Sequence, residues 1–281
     1  MGFNASSPGP FRGAEILLRD LVYERTGLMF DNSKLDLFIG KLAPLIKARG
    51  FDSALDYFYL LKYDAGGQDA WNDAIDALTV QETYFWREMD QIHALSEILI
   101  PILLRDDPTR KIKIWSAACA TGEEPATIAM RLNEDAWFDR ADIEIRASDV
   151  SKAALDRAQE GTYCGRAFRA LPDHLKNKYF RPAGKCWSIS PSILGRIEWG
   201  NINLLEAGSV TEAAEHVSVI FCRNAFIYFD TESTRNVVNT FARAMSVPGY
   251  LFVGAAESLM RVTDYFELEE LGNAFVYTKH R

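Results

Sequence analysis

From Lys111 the chain passes through the alternating run Ile112-Lys113-Ile114, then Trp115-Ser116-Ala117-Ala118-Cys119-Ala120-Thr121-Gly122-Glu123-Glu124-Pro125, and opens into a helical pattern over Ala126 to Leu132. A strand that feeds a helix through a turn of small residues is the unit of a parallel sheet, and it leaves a crevice at the strand's carboxyl end. The unit then repeats. Strands are predicted at 111–116, 143–149, 195–200, 217–223 and 249–255, with helices at 123–134, 151–159 and 231–245 between them. Such alternation implies a mostly parallel sheet with helices on both faces, an α/β fold. Tyr265 to Leu271 and Ala274 to Lys279, joined by Gly272-Asn273, read as a terminal hairpin. A Gly-, Ser- and Pro-bearing stretch at about 181–198 reads as a small β insertion on the sheet edge.

The part before this alternation is helical. Ala14 to Arg25 carries Ile16, Leu17, Leu21 and Val22, and Lys34 to Arg49 carries Leu35, Phe38, Ile39, Leu42, Leu45 and Ile46, both near a 3.6-residue period. Ser33 fits an N-cap and Gly50 a stop, and further helices are predicted over Ser53 to Tyr63 and Asp69 to Thr79. A helical recognition domain at 11–80 and a second domain at 81–281 follow, joined by a hinge at Val80 to Arg87; Met1 to Pro10 reads as a loose tail. The hinge aromatics Tyr84, Phe85 and Trp86 either plug the halves together or wall a ligand site, and a long helix is predicted from Gln91 to Arg105. Lys34 and Lys41 lie seven apart on one helix face with Arg49 near its end. They form either a solvated face or a docking surface for an acidic helix.

The turn after the first strand carries acids where a pyrophosphate site carries glycines with bare N–H groups. Glu123 and Glu124 would repel a phosphate and suit a ligand with positive charge. The next strand, Ile143 to Asp149, ends in an acid able to accept both hydroxyls of a ribose. Either acid alone could simply cap a helix. The two in this order favour a pocket for S-adenosylmethionine over one for NAD.

A net charge of −8 argues against nucleic acid as a partner, which calls for clustered Lys and Arg. The N-terminus lacks a secretory pattern and no apolar run is long enough to span a bilayer, so a cytoplasmic location without membrane insertion is expected. Cys119, Cys164, Cys186 and Cys222 are widely and irregularly spaced and read as four reduced thiols; with His93, His174, His216 and His280 equally scattered, no metal site is expected.

Four segments, in order, carry a family resemblance: Thr83-Tyr84-Phe85-Trp86-Arg87-Glu88, the loop from Ser116 to Pro125, Ala147-Ser148-Asp149, and Phe221-Cys222-Arg223-Asn224-Ala225-Phe226-Ile227-Tyr228-Phe229-Asp230. In these the chain resembles the chemotaxis-receptor protein-glutamate O-methyltransferases, the CheR family. The resemblance implies a Rossmann-like class I methyltransferase sheet of seven strands, an all-helical N-terminal domain and a small β subdomain. It implies S-adenosylmethionine as cofactor, S-adenosylhomocysteine as product, and glutamates on the cytoplasmic helical region of chemoreceptors as substrate.

Residue by residue, the resemblance implies that Thr83 and Arg87, with Gln81 at the first linker position, meet the carboxylate end of the cofactor. Glu123 would meet its amino end, Asp149 its ribose, Asn203-Leu204 its adenine and Asn224-Ala225 its methionine part. Tyr228 would face the transferred methyl group as the catalytic candidate. Arg87 or Arg223 could attract the substrate carboxylate, while a salt bridge from Arg223 to Glu257 or Asp230 and a purely packed Tyr228 are the structural alternatives. Gln81 replaces the family's usual Asn, Gly254-Ala255-Ala256-Glu257 replaces Gly-His-Ser-Glu, and 181–198 is short for the family's β subdomain. The altered 254–257 segment leaves open a cofactor-binding signalling module with weak or no catalysis.

Overall fold

The computed structural model describes residues 12–64 and 66–281, so the Met1–Pro10 tail lies outside the described residues. The chain divides into two compact units, Met1–Val80 and Gln81–Arg281.

The first unit is helical: α1 (Arg12–Thr26), α2 (Leu35–Ala48), α3 (Ala54–Tyr63) and α4 (Gly67–Leu78). Leu18, Val22, Phe38, Leu42 and Tyr57 are fully buried, and Trp71 donates its indole N–H to Leu61 O at 2.8 Å. The face of α1 differs from the expected one: Ile16 and Leu17 are exposed, and Leu18 with Val22, four residues apart, forms the buried stripe. Ser33 is not a cap. Asp31 accepts the N–H groups of Ser33 and Lys34 and caps the short 3₁₀ turn that leads into α2. Gly50 ends that helix at φ +79°, in the left-handed region open to glycine. The three basic residues are tied within the unit: Lys34 to Asp31, Lys41 to Leu78 O, and Arg49 to Asp73.

The second unit holds ten strands: β1 (Ile112–Ala117), β2 (Ile143–Asp149), β3 (Thr162–Tyr163), β4 (Phe180–Ala183), β5 (Cys186–Ile189), β6 (Ile197–Asn201), β7 (Val219–Phe221), β8 (Gly249–Phe252), β9 (Glu267–Leu271) and β10 (Ala274–Lys279). Seven of them form one sheet in the order β6-β2-β1-β7-β8-β10-β9, with β10 antiparallel to both neighbours. This is the Rossmann-like class I methyltransferase arrangement. The order reverses between β1 and β7, which places the ligand crevice beyond their carboxyl ends.

The helices are α5 (Met89–Ala94), α6 (Ile100–Asp106), α7 (Glu123–Glu134), α8 (Lys152–Glu160), α9 (Asp173–Tyr179), α10 (Pro191–Leu194), α11 (Ala207–Ala214) and α12 (Thr231–Ala244). The helix expected over 91–105 is split by a π turn at Leu95–Leu99. In the central strands β1, β7 and β8 both sheet faces are buried, with a period of two along the strand. Ile112, Ile114, Val219, Phe221 and Phe252 belong to an apolar cluster shared with α7, and Trp115, Ala117, Ile220, Cys222 and Leu251 to one shared with α11 and α12.

The β insertion departs from 181–198. It is a separate three-stranded sheet, β3-β5-β4, that starts at Thr162, whereas Ile197–Asn201 belongs to the large sheet. A second correction concerns the cysteines: Cys164 and Cys186 form a disulfide, and only Cys119 and Cys222 are free and buried. Tyr163 pairs with Trp187 across β3 and β5, so the next positions outward, 164 and 186, face each other. That juxtaposition is tertiary and leaves no mark on a 22-residue sequence separation.

Candidate functional site

The site is built from the loops at the carboxyl ends of β1, β2, β6, β7 and β8, with the linker beside them. The loop after β1 winds through left-handed backbone at Ala118 (φ 59°), Ala120 (φ 50°) and Gly122 (φ 89°), a path that favours small side chains. A Cβ on Gly122 would stand 2.8 Å from Ala158 Cβ and 2.9 Å from the Trp199 ring, so the turn packs directly on α8 and β6. Its N–H groups are spent: Cys119 donates to Ser148 O, Ala120 to Asp149 Oδ2 and Gly122 to Cys119 O. Those three donors are therefore closed to a phosphate, as the acidic composition of the loop implies.

Asp149, at the end of β2, is buried and holds both flanks of the mouth. Its Oδ2 accepts Ala120 N–H at 2.8 Å and its Oδ1 accepts Ser151 N–H at 2.9 Å. The backbone oxygen of Asp149 accepts Ile202 N–H and the Asn201 amide, which brings the Asn203-Leu204 segment to the same rim. Glu123 opens α7 and is 4% exposed. Thr121 Oγ1 donates to it at 2.6 Å, and burial raises its pKa above the ordinary carboxylate value. A carboxylate enclosed in this way, with a neutral hydroxyl as side-chain donor, is the donor chemistry that fits a cationic ligand. Tyr163, from β3, donates its hydroxyl to Thr121 O at 3.0 Å and steadies the same loop.

The linker forms a third wall. Phe85 is fully buried against Tyr163, Phe168 and Phe180, so this aromatic belongs to the core of the small sheet. Gln81 and Thr83 are half-buried on the segment leading into it. Arg87 donates to Glu82 O at 3.0 Å, and its charge acts on Tyr228, whose pKa is raised mainly by burial.

Asn224, just past β7, adopts φ 59°. Its N–H and that of Gly254 both donate to Glu257 Oε2 at 2.7 Å, and Ile227 N–H donates to Oε1 at 3.2 Å. Burial raises the Glu257 pKa. This residue clamps the β7 and β8 loops together and fixes the backbone that carries Asn224, Ala225 and Tyr228. Gly254 is required there, because a Cβ would lie 2.5 Å from Asn224 Nδ2.

Arg223 is corrected in its partners. Its guanidinium, 2% exposed, bonds to Glu124 Oε2 at 2.6 Å and lies 3.6 Å from Glu88 Oε2; it pairs with neither Glu257 nor Asp230. It also donates to Arg87 O, Glu88 O and Gln91 Oε1, and Ser116 holds the other oxygen of Glu124. Arg223 is the bolt between the linker turn, α7 and β7, fully committed and unable to reach a substrate. An arginine at the end of an apolar strand signals a buried partner, but that partner lies 99 residues away in sequence.

The fold and these loops define a Rossmann-like methyltransferase whose acidic mouth suits a sulfonium nucleoside. The sequence matches the family "CheR methyltransferase, SAM binding domain" over residues 81–275 and "CheR methyltransferase, all-alpha domain" over 16–79. It is 35% identical over 264 residues to chemotaxis protein methyltransferase 2 of Vibrio cholerae, covering 93% of this chain and 91% of that one. It is 27% identical to chemotaxis protein methyltransferase Cher2 of Pseudomonas putida, over 89% and 92% of the two chains. The chain belongs to the CheR methyltransferase family and is an S-adenosylmethionine-dependent methyltransferase.

Proposed function

We propose that this chain transfers a methyl group from S-adenosylmethionine to glutamate side chains of chemoreceptors, forming glutamate methyl esters. The curated relatives, named as chemotaxis methyltransferases, support the setting. The observation that carries the choice of acceptor is the company Tyr228 keeps. The charged groups acting on it are Arg87, Glu82 and Glu257. Glu257 is occupied by backbone N–H groups, and Glu82 pairs with Arg169. A glutamate nucleophile, with an ordinary pKa near 4.3, is already ionised at pH 7 and needs no base. An amine or hydroxyl acceptor would more often need one.

Bound, the cofactor supplies an electrophilic methyl group on a sulfonium. The chain then has to align and to exclude water, effects that can contribute roughly 7–11 kcal/mol. Gln81, Thr83 and Arg87 would hold the carboxylate end and Glu123 the amino end. Asp149 would hold the ribose, Asn203 and Leu204 the adenine, and Asn224 and Ala225 the methionine part. Tyr228 would orient the incoming carboxylate, with Arg87 drawing it in. The partner would be the cytoplasmic helical region of the receptor, and the enzyme would work in the cytoplasm; no helix among the described residues is long and apolar enough to cross a membrane.

Incubating the chain with methyl-labelled cofactor and a receptor cytoplasmic fragment is expected to give base-labile methyl esters on receptor glutamates. A chain that binds S-adenosylhomocysteine but yields no ester would instead be a cofactor-sensing module. Ala255 and Ala256 favour that second reading, because they are exposed and bring no imidazole to the rim.

A further inference from the structure

Beyond Tyr228 the rim changes character. Ile227 is 54% exposed and Met260 68% exposed, and the two are linked through Glu257, which accepts Ile227 N–H and precedes Met260 by three residues. Next to Met260 a concavity of about 520 Å³ opens between α12 and the loop before β9. Arg235, Asn239, Arg261, Thr263, Asp264 and Tyr265 are among its lining residues. Two guanidinium groups thus face one carboxylate, Asp264. Among the described residues Arg235 uses only its Nε, donated to Val262 O at 2.9 Å. Arg261 is exposed, sits at φ 65°, and makes no hydrogen bond or ion pair among the described residues. Asn239 is tied up locally, accepting the Thr263 hydroxyl at 2.8 Å.

Unspent guanidinium donors beside exposed apolar side chains suit an amphipathic segment that carries carboxylates. On a chain of net charge −8, such a local positive site decides where an acidic partner can settle. We infer that the Arg235–Arg261 concavity is a docking subsite for the methyl-accepting protein, gripping an acidic side chain on the same helix as the glutamate presented at Tyr228. The inference rests on the reading of the substrate as an acidic receptor helix. Four residues separate Glu257 from Arg261, so the two backbones are no more than about 14 Å apart.

The test measures binding of a labelled receptor cytoplasmic fragment to the intact chain saturated with S-adenosylhomocysteine, alongside ester formation. Arg261→Glu, an exposed change that breaks no contact, is expected to weaken fragment binding about tenfold and to flatten its dependence on salt, with affinity for S-adenosylhomocysteine unchanged. Arg235→Glu is expected to do the same. Arg105→Glu, on α6 shortly before the amino end of β1, alters net charge equally and is expected to leave binding within about twofold. Receptor binding unchanged in Arg261→Glu, or weakened as much by Arg105→Glu, overturns the inference. Fragment binding that depends on Arg261 without any ester formed would keep the docking subsite and remove the glutamate-methylation reading.

Discussion

At the scale of single residues, Glu123 is the most informative group. Its carboxyl titrates above the ordinary value because it is buried. The proposed pairing with the cofactor's ammonium requires the ionised form, so binding would release whatever proton Glu123 still holds. Affinity for S-adenosylhomocysteine is therefore expected to be flat above the raised pKa and to fall below it, by up to about tenfold per pH unit. Glu123→Gln should bind weakly at neutral pH and lose that slope; calorimetry across pH 5 to 8 (a range of about three units) reads both. Arg223 makes a different kind of statement. With its side chain 2% exposed and Glu124 at 12%, the pair is buried, and Arg223→Met strands a carboxylate. The expected loss is about 3–5 kcal/mol in urea unfolding, and Glu124→Gln in the same chain should recover part of it, because the stranded charge is what costs most.

At the scale of elements, two glycines and one disulfide hold the loops to the sheet. Gly254→Ala drives a methyl group into Asn224 and is expected to weaken cofactor binding more than it lowers Tm, since the collision falls on a loop proposed to hold the cofactor and spares both apolar clusters. The Cys164–Cys186 bond closes a loop of 22 residues, and Cys164→Ser with Cys186→Ser is expected to lose roughly 3 kcal/mol, a difference that reductant should abolish. Legibility in the sequence followed the same scale. The strand 143–149 and the helix 123–134 stand where the residue pattern put them, because each runs long enough to show its period. Asp173–Tyr179 was invisible: seven residues with Leu175 and Tyr179 as the buried pair are too few for a helical stripe. Strands of two to four residues in the small sheet are equally mute. For the site, the acids in the turn after β1 gave the expectation of a cationic ligand, and the acid at the end of β2 that of a ribose, by composition and position alone. That Asp149 braces two loops, or that Glu257 clamps two more, depends on contacts between segments far apart in the chain.

At the scale of the whole molecule, the residues proposed to hold the cofactor and the helical unit separate along the chain. Every residue proposed to hold the cofactor, from Gln81 to Ala225, falls in the unit Gln81–Arg281. The two apolar clusters that support those loops are also drawn from that unit alone. The helical unit has buried side chains of its own, Phe38, Leu42, Tyr57 and Trp71, and supplies none to either cluster. Removing residues 1–80 should therefore leave the cofactor pocket standing. The fragment 81–281 is expected to bind S-adenosylhomocysteine within about threefold of the intact chain, a margin of well under 1.4 kcal/mol. If the helical unit serves as the proposed recognition domain, methylation of a receptor fragment should suffer in KM more than in kcat. Calorimetry and a KM-against-kcat comparison on the fragment separate the two roles. A fragment that folds but no longer binds S-adenosylhomocysteine would show that the helical unit is part of the cofactor site.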